Sequence, residues 1–90
     1  MGPYKIEFVK SAKKEFDRLP GSVQDKITEA FFFLAQNPFS ELLKVKKLRG
    51  APNLYRLRVG DYRIVYEVRT AIIVIVVIKI GHRKDVYRNL

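Results

Sequence analysis

The sequence contains no cysteine and only one histidine, His82, among its 90 residues. Without cysteine the chain can form neither a disulfide framework nor a thiolate metal site, and this composition fits a reducing cytoplasm. A single histidine is too few for a cluster of imidazole ligands. We therefore expect a cytoplasmic protein that uses no metal and no small-molecule cofactor.

Long apolar segments are also missing. The longest uninterrupted apolar run covers residues 71–78, whereas a membrane helix needs roughly 20 apolar residues. The first residues, MGPYKIEF, lack the apolar stretch of a secretory signal. The sequence therefore predicts no membrane partner.

Negative charge is scarce. Nine Asp and Glu stand against 18 Lys and Arg, which gives a net charge of +9. In so small a chain this charge is typical of proteins that bind nucleic acid, anionic membranes or acidic proteins. The hydrophobic content of 48% indicates a folded chain, and 90 residues are enough for one core. We expect a single domain covering residues 1–90.

Residues 48–68 (LRGAPNLYRLRVGDYRIVYEV) predict a β-hairpin with a two-residue turn at Gly60 and Asp61. Glycine at the first central position is what a type II′ turn requires. The loop length fixes the register, which pairs Val59 with Tyr62, Arg58 with Arg63, Leu57 with Ile64 and Arg56 with Val65.

Side-chain alternation gives this hairpin two faces. One face is apolar and carries Tyr55, Leu57, Val59, Tyr62, Ile64, Tyr66 and Val68. The other face carries Arg56, Arg58 and Arg63. Because like charges directly opposite each other repel, two interpretations are open: the arginines are separately solvated, or they hold an anion between them.

Two helices are predicted before the hairpin, over residues 12–19 and 23–36. Ser11 is a candidate N-cap for the first helix, and Ser22 with Asp25 resembles a capping box for the second. The pair Pro20-Gly21 should separate the helices, and Asn37-Pro38 should end the second one.

Phe32 and Phe33 widen the apolar stripe of the second helix. We expect them to pack under neighbouring loops, whereas exposure would indicate a partner-binding surface.

The remaining strands complete the predicted fold. Residues 4–9 alternate like a strand, and residues 71–80 (AIIVIVVIKI), ended by Gly81, are typical of a central strand buried on both faces. The predicted fold class is α+β with the order β-α-α-β-β-β. A helical hairpin would pack on a twisted, mainly antiparallel sheet and leave the arginines on its opposite, concave face.

A basic run leads into the hairpin after a short helical turn predicted over residues 39–43. It contains Lys44, Lys46, Lys47 and Arg49. Such a run is either a solvated surface or, because it adjoins the basic hairpin, part of a surface that binds RNA or the ribosome. Residues 82–90 form a basic tail of one or two predicted helical turns.

Four motifs resemble the RelE toxins of the RelE/ParE toxin–antitoxin superfamily. They are KLRG at residues 47–50, the strand YRLRVG, GDYRIVYEV at residues 60–68 and IGHRKDVYR at residues 80–88. The resemblance covers nearly the whole chain. It implies a toxin that inhibits translation by cleaving mRNA in the ribosomal A site without a metal, and that a wrapping, RelB-like antitoxin neutralises.

Metal-free RNA cleavage needs a base for the ribose 2′-OH, an acid for the leaving 5′-oxygen and positive charge at the phosphorane. Arg56, Arg58 and Arg63 are suited to hold that charge, since arginine makes permanently charged, bidentate phosphate contacts. By resemblance, Arg83 supports the leaving oxygen and Tyr87 orients the base or assists with the proton. Lys84 is a further candidate among the residues that bind RNA or the ribosome. In RelE-like proteins the two basic positions of the first hairpin strand are often lysines, and arginine is a poorer proton acceptor.

His82 is the one histidine of the chain, and histidine is the side-chain type that can gain or lose a proton near neutral pH. Its side chain either takes part in proton transfer or is a strand-end histidine bonded to the backbone.

Two alternatives stay open. The ParE branch of the superfamily acts on DNA gyrase without cleaving RNA, and a basic domain of this kind could also bind RNA without cleaving it. The combination of the sheet arginines with Arg83 and Tyr87 favours an RNA-cleaving toxin.

Overall fold

The computed structural model describes residues 3–82, which form two helices and five strands. In chain order these are β1 Lys5–Phe8, α1 Lys10–Asp17, α2 Gly21–Gln36, β2 Lys46–Lys47, β3 Leu54–Val59, β4 Tyr62–Arg69 and β5 Val74–His82. The strands form one sheet in the order β1-β5-β4-β3-β2. Strand β1 runs parallel to β5, and the other neighbours are antiparallel. The α+β class and the mainly antiparallel sheet are therefore confirmed.

The core lies between the helices and one face of the sheet. Ile27, Phe31 and Leu34 recur along α2 at helical spacing and are buried, as the periodicity predicts. They meet the apolar side of the sheet, which includes Leu57, Ile64, Tyr66, Ile75, Val77 and Ile80. This packing leaves the alternate side chains of the sheet on a second face, which we call the outer face.

Both helices begin two residues earlier than predicted, and the capping assignments are wrong. The N-caps are Val9 and Pro20, and neither helix has a side-chain cap hydrogen bond. The N–H of Val9 donates to Val77 in the sheet at 3.0 Å, so the chain enters α1 directly from the strand. Proline fixes φ at a helix-compatible value and similarly starts α2 at once.

The predicted hairpin register is confirmed pair by pair. Gly60 has φ +59°, and in the described part of the chain Asp61 does not share this left-handed conformation. A type II′ turn requires a positive φ at the first central residue and not at the second, as found here. The two-residue loop thus aligns β3 and β4 as the sequence indicates.

The last strand begins and ends later than predicted. Residues 71–73 belong to the turn before β5, where Ile72 and Ile73 are 61% and 46% exposed. Gly81 does not end the strand, which continues to His82. The interior position between β1 and β4 is confirmed.

Two further differences concern the edge of the sheet and its centre. The two-residue strand β2 comes from the basic run and was not predicted, because KVKK carries no apolar alternation. In the centre, pairing passes from Val65–Lys79 to Tyr66–Val77, so Ile78 is the extra residue of a bulge. A bulge changes which face the following residues occupy.

Among residues 3–82, neither α1 nor α2 has the length and apolar content of a membrane-spanning helix.

Candidate functional site

Five basic side chains line one depression of about 550 Å³ at the outer face. They are Lys44, Lys46, Arg56, Arg58 and Arg63, with Leu42, Leu43 and Gly60 completing the lining. We call this cavity the basic depression. It joins two groups that the sequence left separate, the arginines of the hairpin and part of the basic run.

Strand register explains why these charges converge. Lys46 of β2 pairs with Arg56 of β3, and Arg58 pairs with Arg63 of β4. Paired residues project from the same face, and neighbouring strands lie about 4.8 Å apart. The short edge strand therefore brings a lysine beside the arginines of the hairpin.

The guanidinium groups of Arg58 and Arg63 turn towards the same acceptor. Arg58 Nε and an Nη atom of Arg63 each lie 3.4 Å from the carbonyl oxygen of Gly60, and Arg63 also donates to the carbonyl of Tyr62 at 3.3 Å. These bonds are long, and none of the five basic side chains forms an ion pair within residues 3–82. Because weak carbonyl contacts exchange at little cost for charge-assisted ones, the depression is suited to bind an anion.

The loop between α2 and β2 forms one wall of the depression and is fixed from below. The Tyr66 hydroxyl donates to the carbonyl of Pro38 at 2.7 Å, and Phe39 packs edge-on against Tyr55 at 5.2 Å. Burial, together with the neighbouring Tyr55, raises the pKa of Tyr66 above its usual value, so the hydroxyl stays protonated and keeps donating. Lys44, in the same wall, has φ +54°, a conformation that L-residues rarely adopt.

An apolar groove of about 350 Å³ adjoins the depression. It is lined by Lys26, Glu29, Ala30, Phe33, Leu43 and Val59. Leu43 lines both cavities, so the groove and the depression are adjacent to each other at this residue.

The expectation that Phe32 and Phe33 are covered by loops is wrong. Their side chains are 52% and 49% exposed and pack edge-on against each other, with ring centroids 5.5 Å apart. The reason is the helix period: Phe31 and Leu34 already occupy the side of α2 that faces the sheet. Their exposure is the alternative that indicates a partner-binding surface.

The other predicted site residues lie elsewhere or outside the described part. Lys47 pairs with Tyr55 and so projects from the helix-covered face, and Arg49 is exposed in the following turn. His82 pairs with Tyr62 and contacts its ring edge-on at 5.8 Å, also on the helix side of the sheet. Arg83, Lys84 and Tyr87 lie outside the described residues.

Two residues near the site were missed by sequence reasoning. Lys79 pairs with Val65 on the outer face, in the same row as Arg56. Its ammonium group lies 2.6 Å from a carboxylate oxygen of Glu15 in α1. A lysine inside the apolar run AIIVIVVIKI was the available signal, since a charge there must find a partner.

Residues 3–82 bring together no group of three His, Cys, Asp or Glu side chains that could hold a metal ion. Separately, the charged side chains that line the depression are all cationic, and cationic groups bind phosphate and stabilise its negative charge.

Residues 6–87 match the family described as the ParE toxin of the type II toxin–antitoxin system, parDE. The chain is 34% identical over 85 residues to toxin RelE3 of Methanocaldococcus jannaschii, covering 92% of this chain and 94% of that protein. It is 31% identical over 83 residues to the mRNA interferase toxin RelE of Escherichia coli K12, covering 90% and 84%. The archaeal RelE–RelB complex from Pyrococcus horikoshii OT3 has a similar fold, with a TM-score of 0.80 at 31% identity over 92% of this chain and 98% of that chain.

Proposed function

This chain belongs to the RelE/ParE family of toxins of type II toxin–antitoxin systems, and we propose that it is a ribosome-dependent mRNA interferase that cleaves messenger RNA in the ribosomal A site. The observation that carries the proposal is the basic depression, in which three arginines and two lysines face one cavity. A single-stranded RNA backbone supplies the anions that such a cavity can bind.

The proposed reaction is an internal transfer at phosphorus. The ribose 2′-oxygen forms a bond to the adjacent phosphorus, the bond to the 5′-oxygen breaks, and a 2′,3′-cyclic phosphate results. The 2′-OH proton passes to a base, and the 5′-oxygen receives a proton from an acid. Arg56, Arg58 and Arg63 hold the phosphorane, whose negative charge exceeds that of the ground state.

Proton transfer needs groups other than the sheet arginines, because arginine stays protonated in proteins. The resemblance assigns Arg83 to the leaving oxygen, and Tyr87 to orienting the base or assisting with the proton. Histidine is the side-chain type that most readily transfers protons near neutral pH, and His82 is the histidine of this chain. It lies on the helix side of β5, so a role in proton transfer requires the RNA to reach round the end of the sheet.

Primer extension on a translated mRNA tests the proposal. After brief induction, and with the purified protein added to programmed ribosomes, we expect new 5′ ends at codons in the A site. The same RNA without ribosomes should stay intact. Cleavage of free RNA at the same rate would contradict ribosome dependence, and intact RNA in both reactions would contradict the interferase activity.

A second candidate function follows from the family match itself, whose description names ParE. A ParE-like toxin would act on DNA gyrase and leave RNA intact. The cluster of five basic side chains in the basic depression favours RNA. A gyrase supercoiling assay with the same protein separates the two, since inhibition of supercoiling with intact mRNA would favour gyrase. Tight ribosome binding with neither effect would indicate an RNA-binding domain without cleavage.

We also propose that the chain has a RelB-like antitoxin that wraps around it, because RelE–RelB complexes are among the similar solved structures. The apolar groove and the basic depression meet at Leu43, so one amphipathic, acidic segment can cover both. Surface charges are screened over about 10 Å at 0.1 M salt, and we therefore expect the affinity to fall as salt is added. A complex that is insensitive to salt would indicate that apolar burial alone holds it.

The proposed target also indicates the cellular compartment in which the protein acts. Translating ribosomes are cytoplasmic, so the toxin would act in the cytoplasm.

A further inference from the structure

Strand β5 extends beyond its neighbour at one edge of the sheet. Strand β1 pairs with β5 only as far as Val77, and β5 then continues to His82 without β1 beside it. Its backbone N–H groups on that side lose their strand partners and need other acceptors. The segment concerned pairs with β4 at Arg63, opposite Gly81.

Glu15 of α1 supplies the missing acceptor. One carboxylate oxygen accepts the N–H of Ile80 at 2.9 Å, and the other lies 2.6 Å from the ammonium group of Lys79. The bond to Ile80 joins residues 65 positions apart in sequence. The carboxylate therefore fixes the free end of β5 to the helix layer.

The same carboxylate also affects the charge of the outer face. Lys79 lies in the row of Val65 and Arg56, where a free ammonium group would compete with the depression for phosphate. Glu15 holds that ammonium group at the sheet edge and offsets its charge.

We propose that Glu15 is a positioning residue for RNA cleavage. It acts through the backbone of Ile80, and it contacts no RNA. By fixing the end of β5 it sets where Arg63, which pairs with Gly81, stands relative to the scissile phosphate. This inference rests on the proposed interferase function, because its main readout is the cleavage rate.

The test compares Glu15→Ala with Glu15→Gln on programmed ribosomes. Alanine removes both contacts, whereas the glutamine amide oxygen can still accept the Ile80 N–H. We expect Glu15→Ala to lower kcat about tenfold or more, since small misplacements of reacting groups cost this much, with KM changed less than threefold. Glu15→Gln should recover most of kcat. The matched control is Asp17→Ala, which breaks an exposed pair with Lys13 on the same helix and should leave kcat unchanged.

Several outcomes overturn the inference. Parental kcat in folded Glu15→Ala would show that the carboxylate serves stability alone, and an equal loss in both Glu15 variants would show that the bond to Ile80 is not the relevant contact. If Glu15→Ala does not fold, Glu15→Asp replaces it, because the shorter side chain withdraws the carboxylate from Ile80.

A second measurement does not depend on cleavage. The Nε–H resonance of Arg63 is followed by NMR during titration with inorganic phosphate. We expect phosphate binding at Arg63 to weaken severalfold in Glu15→Ala and to recover in Glu15→Gln. An unchanged titration would overturn the positioning role even if the parental protein failed to cleave mRNA. Failure of the positioning role can therefore be distinguished from failure of the proposed interferase function.

Discussion

Arg58 and Arg63 face each other across the β3–β4 turn, and both donate to the carbonyl oxygen of Gly60 at 3.4 Å. Two cations that share one neutral acceptor are only partly compensated, and like charges directly opposite each other on a sheet destabilise it. A phosphate oxygen placed between them would accept from both and remove the repulsion. This arrangement favours anion binding over separate solvation of the two arginines.

The first prediction concerns Arg63→Ala. The variant should fold normally, since it relieves a like-charge contact, and it should still bind ribosomes through the remaining basic residues. Its cleavage rate at saturating ribosome should fall at least tenfold. Losing a charge-assisted contact that matters only in the transition state could cost on the order of 3 kcal/mol, or roughly a hundredfold in rate.

Arg69→Ala is the matched control. Arg69 lies on the same strand and pairs with Glu67 at the far end of the sheet, so its loss should leave the rate unchanged. If Arg63→Ala cleaves at the parental rate once saturated, the basic depression is only a docking surface. The chemistry would then be assigned to His82, Arg83 and Tyr87.

The hairpin was the most predictable part of the fold. A two-residue turn permits one register, and side-chain alternation then places each residue on a face. The sequence therefore predicts the placement of Arg56, Arg58 and Arg63. By contrast, β2 depends on pairing with β3 and has no alternating pattern of its own. The sequence therefore does not predict that Lys46 pairs with β3 and so lines the depression.

The bulge at Ile78 explains why side-chain alternation alone assigns Lys79 and His82 to the wrong faces of the sheet. Ile75 and Val77 face the core, and simple alternation would place Lys79 there and His82 on the outer face. The extra residue reverses both, so Lys79 lies on the outer face and His82 pairs with Tyr62 on the helix side. The contact of Lys79 with Glu15 spans 64 residues, and no local pattern could indicate it.

The second prediction concerns the turn before β5. Ile73 has φ +56°, a left-handed conformation that costs an L-residue about 1–2 kcal/mol and is especially unusual for a β-branched side chain. Because Ile73 is also exposed, Ile73→Asn should stabilise the fold by about 1 kcal/mol and raise Tm by roughly 4–8 °C. Thermal unfolding by circular dichroism measures this. Ile72→Asn in the same turn should give no such gain, and an equal gain in both variants would indicate that removal of exposed apolar surface is the cause.

The third prediction concerns Tyr66→Phe, which removes the donor to the Pro38 carbonyl. A buried acceptor left unpaired costs about 1–3 kcal/mol, so urea unfolding should show a loss in this range. The folded-state pKa of Tyr66 is raised, so its stabilising contribution is complete below the unfolded pKa of about 10 and is lost as pH rises above that value. The parental protein should therefore lose more stability than Tyr66→Phe between pH 8 and about pH 11.

Tyr62→Phe provides the comparison for that experiment, because Tyr62 is only half-buried at the sheet end. It should show a smaller loss of stability and keep the parental dependence on alkaline pH. Parallel pH profiles for the parental protein and Tyr66→Phe would contradict the assigned role of the Tyr66 hydroxyl.

The last prediction separates stability from function at Lys44. Its left-handed backbone carries a strain of about 1 kcal/mol, yet its side chain lines the basic depression. Lys44→Gly should therefore raise the free energy of unfolding. It should also weaken ribosome binding and reduce the slope of log K against log salt concentration by about one, because one cationic contact is lost. Lys46→Gln removes a charge from the same depression without changing a strained position, so it should reproduce the binding defect with no gain in stability. If Lys44→Gly binds as tightly as the parental protein and with the same salt slope, the strain serves only the path of the loop. A weaker binder with unchanged stability would instead indicate that the greater backbone entropy of glycine in the unfolded chain offsets the relieved strain.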